Sequence, residues 1–483
     1  MGGCRHLWTG EMVNRVAVLD VVGLTESLIG EHTPAIAAVC RKGVLSRVRP
    51  AFPAVTCTAQ SDYLTGERPS RHGVVGNGWY NRELAEVQFW KQSNHLVRAP
   101  KLWEALREEA PGLTCATLFW WFNMYSSADY SITPRPMYPA DGRKVFDIYT
   151  WPYGLKAAIK AELGEFPFPA FWGPAAGVDS FRFKGDSASR WIAESAKWIE
   201  RKHAPTISFV YLPHLDYNLQ RVGPGPAEIS HDLRAIDAIV GELLRFFGER
   251  GVEVLLLSEY GIAPVTRPVH LNRIFREQGW LTVKEELGRE LLDAGNSRAF
   301  AVADHQVAHV YVNDRSVFAE VREALAAVPG VGQVLGDAEK ATAGLGHPRA
   351  GDLVAVANQD AWFTYYYWME DAMAPDFART VDIHRKPGFD PAELFLDPRT
   401  GLIQAKIVWR LAKKRLGFRM LMDIIPLDAS LVKGSHGGRP ADTREWPVLI
   451  SPRPDRSSGG LLESTDVFWV LRNHVLGSSS GLS

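Results

Sequence analysis

Apolar runs that end in acidic residues constrain this chain more than any other feature. Asn14-Arg15-Val16-Ala17-Val18-Leu19 runs into Asp20, Thr206–Leu212 is followed within one turn by Asp216, and Val252–Leu257 runs into Ser258-Glu259. Runs without polar alternation suit strands covered on both faces of a parallel sheet. Amphipathic helical patterns lie between them: Trp191, Ile192, Ser195, Trp198 and Ile199 within residues 186–202, and Leu233 to Phe247 within residues 230–250, the second closed by Gly251. The pattern predicts an α/β fold with a mainly parallel sheet and helices on both faces. Ligands and chemistry collect outside the carboxyl ends of such strands. Carboxylates gathered there repel unless a cation neutralises them, so the pattern also predicts a divalent metal site.

At 483 residues the chain exceeds what one core usually organises. The expected division is a catalytic domain formed by residues 12–264 and 351–475, with residues 265–350 as a small inserted α/β cap lobe. Residues 1–11 read as a disordered leader or a misplaced start, and residues 476–483 as a disordered tail. A formal net charge of -1 gives no general electrostatic reason to bind duplex nucleic acid or an anionic membrane. No apolar run is long enough to span a bilayer, and no signal peptide is evident. Cys4, Cys40, Cys57 and Cys115 lack paired spacing, which favours a reducing, cytoplasmic setting over a disulfide framework. Residues 119–183 are rich in aromatics, Pro and Gly, and read as a lid or substrate wall. The Lys and Arg residues of a helix over residues 404–416 read most simply as a solvated face, with a phosphate- or partner-binding role as the alternative.

Several isolated residues have chemical potential, and each has a plainer reading. Thr56 follows Phe52-Pro53-Ala54-Val55 at the expected start of a helix, where free N–H groups and the dipole favour an alkoxide and a phosphate. It also reads as an ordinary N-cap. Asn77, in His72-Gly73-Val74-Val75-Gly76-Asn77, has an amide suited to an anionic oxygen, or simply marks a turn. Gln220 shares a helix side with Asp216 if that segment is helical. His436, in Gly434-Ser435-His436-Gly437, is a candidate metal ligand or an exposed loop residue. His214, His270, His305, His347 and His384 are further candidates, mostly read as structural.

Taken in order, these segments resemble the alkaline phosphatase superfamily, in its nucleotide pyrophosphatase/phosphodiesterase (type I phosphodiesterase) branch, with phosphonoacetate hydrolases as relatives. The resemblance implies that Asp20 is a metal ligand at the end of the first strand, Thr56 the nucleophile, and Asn77 the holder of a phosphoryl oxygen. It implies that Asp216, Gln220 and His436 hold one metal, and that Asp20, Thr56, Glu259 and Tyr260 hold another. Gln220 stands where the family has His, Glu259 where it has Asp, and Tyr260 where it has His. Gln is a weak neutral ligand, and a phenol with a free pKa of about 10 ligates mainly once deprotonated. The donor set is therefore poorer in nitrogen, and His214 is a candidate to supply the missing imidazole.

The implied activity is metal-dependent hydrolysis of phosphodiester or pyrophosphate bonds in a small-molecule phosphate ester, through a covalent phospho-threonine. Two divalent ions are expected, zinc first, then manganese or iron. The alternatives are a phosphonate or phosphomonoester hydrolase on the same scaffold, or a non-catalytic descendant that binds a metal or metabolite. The aromatic run Phe119-Trp120-Trp121-Phe122 reads either as a stacking surface for the substrate or as core.

Overall fold

The computed structural model describes residues 13–180, 183–225, 227–453 and 459–477. Cys4, the expected leader and the tail beyond Gly477 lie outside the described residues.

The acid-ended runs form the centre of a nine-stranded sheet. Val16–Val21 lies between Ile207–Leu212 and Glu253–Leu257, parallel to both, and Asp20 is level with Tyr211 and Leu257. Cys115–Leu118 and Tyr130–Pro134 extend the parallel run on one side, and Ile148–Trp151 closes that edge antiparallel. Beyond Glu253–Leu257 come Val448–Ser451, antiparallel, then Val44–Arg49 and Gly460–Glu463. The sheet is thus mostly parallel with helices on both faces, as the uninterrupted apolar runs require.

Strand alternation divides the core. Leu19, Val210 and Leu256 point to one face, against Trp191, Ile192 and Ile199 of helix Ser187–His203 and Ile236, Val240 and Leu243 of helix Ser230–Gly248. Val18, Phe209 and Leu255 point to the other, against Tyr63, Trp103 and Phe468. Those three come from helices Thr56–Thr65, Leu102–Glu109 and Asp466–Leu476.

A second, four-stranded antiparallel sheet runs in the order Ala299–Asp304, Val307–Val312, Leu353–Ala357, Val331–Leu335. Leu353–Ala357 lies past the expected lobe boundary at residue 350, so the division in the sequence reading cuts this sheet. The strand's continuous apolar character resembles that of the central strands, which hid its partner. One face of the sheet, through Val307 and Val354, packs on Val74, Val75 and Cys57. That contact brings the Asp304–Val307 turn beside the start of helix Thr56–Thr65.

Ser258 fixes the exit of the Glu259 strand. Its hydroxyl donates to the Leu24 carbonyl at 2.6 Å and accepts from Val448 N–H at 2.8 Å, while Tyr63 donates to its carbonyl at 2.9 Å. Ser258→Ala leaves two buried backbone groups unpaired and is expected to cost about 1–3 kcal/mol. A denaturant midpoint equal to that of the parent protein would contradict this.

Candidate active site

Thr56 is the first residue of its helix, not the cap. Val55 is extended at φ -132° and ψ 155°, and no side chain caps the end. The plain N-cap reading therefore fails, and the buried hydroxyl is free for other partners. It lies 3.2 Å from the Tyr260 hydroxyl, which donates to Asp216 Oδ1 at 3.3 Å. Asp216 and Gln220 share one face of helix His214–Val222, and Gln220 Nε2 donates to Asp216 Oδ2 at 2.8 Å. One continuous hydrogen-bonded line runs from Thr56 through Tyr260 and Asp216 to Gln220.

Behind Thr56 lies a carboxyl pair. Asp20 and Glu259 are fully buried, and Gln60 bridges them, donating to Glu259 Oε1 at 2.5 Å and lying 3.5 Å from Asp20 Oδ2. The Gln60 carbonyl accepts from Trp121 N–H at 2.8 Å, which fixes the amide's orientation. Desolvation, then the neighbouring Glu259, push the Asp20 carboxyl well above its ordinary range. Glu259 is also raised by burial, while hydrogen bonds from Asp20, Gln60 and Thr56 pull it back down. Burial and the neighbouring carboxylate thus both favour the protonated form of Asp20. Asp216 is pushed up to about 7 by burial, opposed by its hydrogen bond from Gln220 and reinforced by the Glu259 charge.

His436 completes the group. Its Nδ1 lies 2.7 Å from the Ala54 carbonyl, a contact that makes Nδ1 the donor and leaves Nε2 an acceptor. Its ring stacks on Tyr260 at 3.6 Å and 5°. Asn77 sits one step away. Its carbonyl accepts from Cys57 N–H at 3.0 Å, while its own N–H and its Nδ2 donate to Asp304 at 2.8 and 3.0 Å. Asp20, Thr56, Asp216, Gln220, Glu259, Tyr260 and His436 therefore meet, with Asn77 beside them.

His214 does not join them. It faces helix Ser230–Gly248, with Nε2 3.1 Å from Asp232 Oδ1. Being two residues before Asp216 at a helix start turns it roughly 200° away around the helix axis.

Sequence reasoning missed Gln60 and Asp304 and named His305 as one of several further candidates without singling it out. His305 Nδ1 contacts Asp304 Oδ1 at 2.9 Å, its ring lies 3.7 Å from that of His436, and its Nε2 is buried without a partner. The one sequence signal for the pair is Asp304-His305, two titratable residues that directly follow an apolar strand.

A cavity of about 1670 Å³ opens over the site. Thr56, Asp216, Gln220, Tyr260, His305 and His436 line its inner end. Trp121 reaches its wall, whereas Phe119, Trp120 and Phe122 pack away from it, so the aromatic run is mostly core.

The chain belongs to the type I phosphodiesterase / nucleotide pyrophosphatase family, whose model matches residues 16–390. Among solved structures it resembles murine ectonucleotide pyrophosphatase/phosphodiesterase 5, at 16% identity, 97% coverage of each chain and a TM-score of 0.57. It also resembles the phosphonoacetate hydrolase of Sinorhizobium meliloti bound to phosphonoacetate, at 15% identity, 97% coverage of each chain and a TM-score of 0.60. Identities this low establish the fold. An uncharacterized pyrophosphatase/phosphodiesterase of Schizosaccharomyces pombe is 22% identical over 288 residues, 57% of this chain and 50% of the relative. The chain thus matches about half the length of that curated relative.

Proteins of this family generally depend on divalent metals. Among the described residues, however, no group of three or more His, Cys, Asp or Glu is arranged to hold a metal ion. Gln220 and Tyr260 explain this, since each occupies a place where the family resemblance implies an imidazole. The two expected positions differ in fit. Asp20 Oδ1 and Glu259 Oε2 are buried without hydrogen-bond partners and face one neighbourhood with Thr56, which suits one oxygen-bound cation. At the other position both Asp216 oxygens already accept hydrogen bonds, and burial pushes the Tyr260 phenol well above its ordinary range, away from the phenolate a metal needs.

The raised carboxyls make stability depend on pH. Between the ordinary value of 3.8 and about 7 for Asp216, this carboxyl holds more protons in the folded state than in the unfolded state, so its contribution to stability falls as pH rises through that window. Because His270, His305, His309, His347 and His436 are pushed below their ordinary value by burial and act in the opposite direction, the Asp216 contribution is read against Asp216→Asn: metal-free parent is expected to lose melting temperature relative to that variant between about pH 5 and about pH 8, and added manganese or zinc to raise the parent's melting temperature more at the higher pH. A difference between parent and Asp216→Asn that does not change with pH would contradict the buried-carboxyl description.

Proposed function

We propose that this protein is a metal-dependent hydrolase of phosphodiester or pyrophosphate bonds that works through a covalent intermediate on Thr56. The observation that carries the reading is the hydrogen-bonded line Thr56–Tyr260–Asp216–Gln220 at the floor of the cavity. It supplies a nucleophile and a path for its proton. The Thr56 oxygen attacks phosphorus while its proton passes to the Tyr260 oxygen and the Tyr260 proton passes to Asp216. The bond from phosphorus to the leaving oxygen breaks, and that oxygen takes a proton from the open cavity. Water then attacks the phospho-threonine, Asp216 returns its proton through Tyr260 to the departing Thr56 oxygen, and the proton that water loses leaves through the open cavity, replacing the one the leaving oxygen took there.

Asp20, Glu259 and Thr56 would hold a divalent cation, which when bound would neutralise the carboxyl pair and lower the charge on the attacking oxygen. The pair of ions expected from the family narrows in this reading to one firmly held, because Asp216 is already saturated. The oxygen-rich donors favour manganese more than a nitrogen-rich set would, with zinc and iron as the other candidates. Asn77 is anchored by Asp304 through one Nδ2 hydrogen and keeps the second for a phosphoryl oxygen. The dipole of helix Thr56–Thr65 favours the same charge. Trp90, Trp121 and Trp172 on the cavity wall suit an organic group on the substrate. The described cysteines are all unpaired, which suits a cytoplasmic setting.

Thr56→Ala is expected to lower turnover of an aryl phosphodiester by at least about a hundredfold while leaving the metal content near that of the parent. Retained turnover would remove Thr56 from this role. Asp20→Asn is expected to reduce the metal retained after desalting, read by elemental analysis, and His436→Ala to reduce it less. Unchanged content in Asp20→Asn would place the ion elsewhere. A panel of phosphomonoester, phosphodiester, pyrophosphate and phosphonate substrates, each with added zinc, manganese or iron, assigns the bond class. Activity confined to phosphonates would overturn the diester reading.

A further inference from the structure

The helix Ile403–Arg415 carries its charges on the wrong side for a helix resting on a protein in water. Such helices keep apolar residues inward and charges outward. Here Lys406 and Arg410 turn toward the protein and pair with Asp423 at 3.1 and 3.0 Å. Val408 and Trp409 face outward and are 59% and 61% exposed. Helical spacing places Ala405 and Ala412 on the same outward face, with Lys413 at one edge and Arg415 at the other. The apolar surface continues beyond both ends of the helix, in Leu402 at 85% exposure, Leu416 at 72% and Phe418 at 65%.

The charge left without an ion-pair partner at the rim of this patch is positive, since Asp423 and Asp141 are each held by cations. Lys413 Nζ lies 5.2 Å from the centre of the Trp409 ring, and among the described residues neither Lys413 nor Arg415 has an ion-pair partner. Arg419 follows, near an Asp141 that Arg143 already holds at 2.6 Å. The net charge of -1 describes the far field and does not describe this rim. The patch is also continuous with the active-site cavity: Val408, Leu411, Phe418 and Leu421 line its outer end, and Thr56 lies at its inner end.

We propose that residues 402–421 dock this protein on an anionic membrane surface. Leu402, Trp409 and Leu416 enter the boundary between headgroups and acyl chains, and Lys413, Arg415 and Arg419 rest on anionic headgroups. An outward apolar face flanked by cations fits an interfacial helix that lies in the membrane plane. Among the described residues no helix is long and apolar enough to cross the membrane, so contact is with one leaflet. A second copy of the chain fits less well, because two-fold pairing of the same patch sets Lys413, Arg415 and Arg419 against their own copies. Docking through this segment turns the cavity mouth toward the bilayer.

The test is co-sedimentation of the full chain with vesicles of phosphatidylcholine alone and of phosphatidylcholine mixed with phosphatidylglycerol. The protein is expected to sediment with the mixed vesicles, far less with the neutral ones, and to be released by high salt. Lys413→Glu/Arg415→Glu and Trp409→Ser/Leu416→Ser are each expected to lower partitioning by about tenfold or more while melting at the parent temperature, since these side chains are at the surface. No sedimentation, or equal sedimentation of parent and variants, overturns the proposal. So does a parent dimer that Trp409→Ser/Leu416→Ser converts to monomer in analytical ultracentrifugation.

Discussion

The rest of the site follows from carboxyl groups buried where parallel strands end. Asp20 is level with Leu257 of the adjacent strand, Glu259 follows two residues past that strand's end, and both are out of contact with water. Two charges placed so close in a poorly polarisable interior would be costly. The fold answers by raising the affinity of both carboxyls for a proton, by placing the Gln60 amide between them, and by leaving two buried oxygens unpaired that a cation can satisfy. Gln60 does this from the second turn of the helix that Thr56 begins, so the geometry of the nucleophile and that of the carboxyl pair are set by one rigid element.

Much of this was legible before any coordinates. The apolar runs ending at Asp20, Asp216 and Glu259 specified strand type, sheet class and the level at which acids gather, because burial on both faces removes polar alternation. Gln220 facing Asp216 followed from helical spacing alone. Other features depend on contacts far apart in the sequence. No local pattern says that Leu353–Ala357 pairs inside the lobe, or that Asp304 reaches across to hold Asn77. His214 was a candidate for the missing imidazole, whereas helix His214–Val222 begins there and turns the ring toward Asp232. The basic helix was read as solvated from its composition, yet only the packing against Asp423 reveals which of its faces is outward.

The departures from the family's histidines are connected. Tyr260 in place of an imidazole brings a hydroxyl that can hydrogen bond to both Thr56 and Asp216, and its ring lies flat on His436. Gln220 in place of another brings an N–H donor that occupies the remaining Asp216 oxygen. Each exchange puts a partner for Asp216 where the family resemblance implies a metal ligand. In the proposed mechanism Asp216 consequently handles a proton where the family pattern would have it hold an ion, and metal binding concentrates on the Asp20 side.

The covalent step at Thr56 is the centre of this account, and mass spectrometry tests it most directly. Protein mixed with an activated aryl phosphodiester and quenched in acid during turnover should yield a peptide containing Thr56 that carries the transferred phosphoryl group, with the mass increase localised to that residue by fragmentation. An unmodified Thr56 peptide from protein that is turning over, or a label found on another residue, would contradict the account.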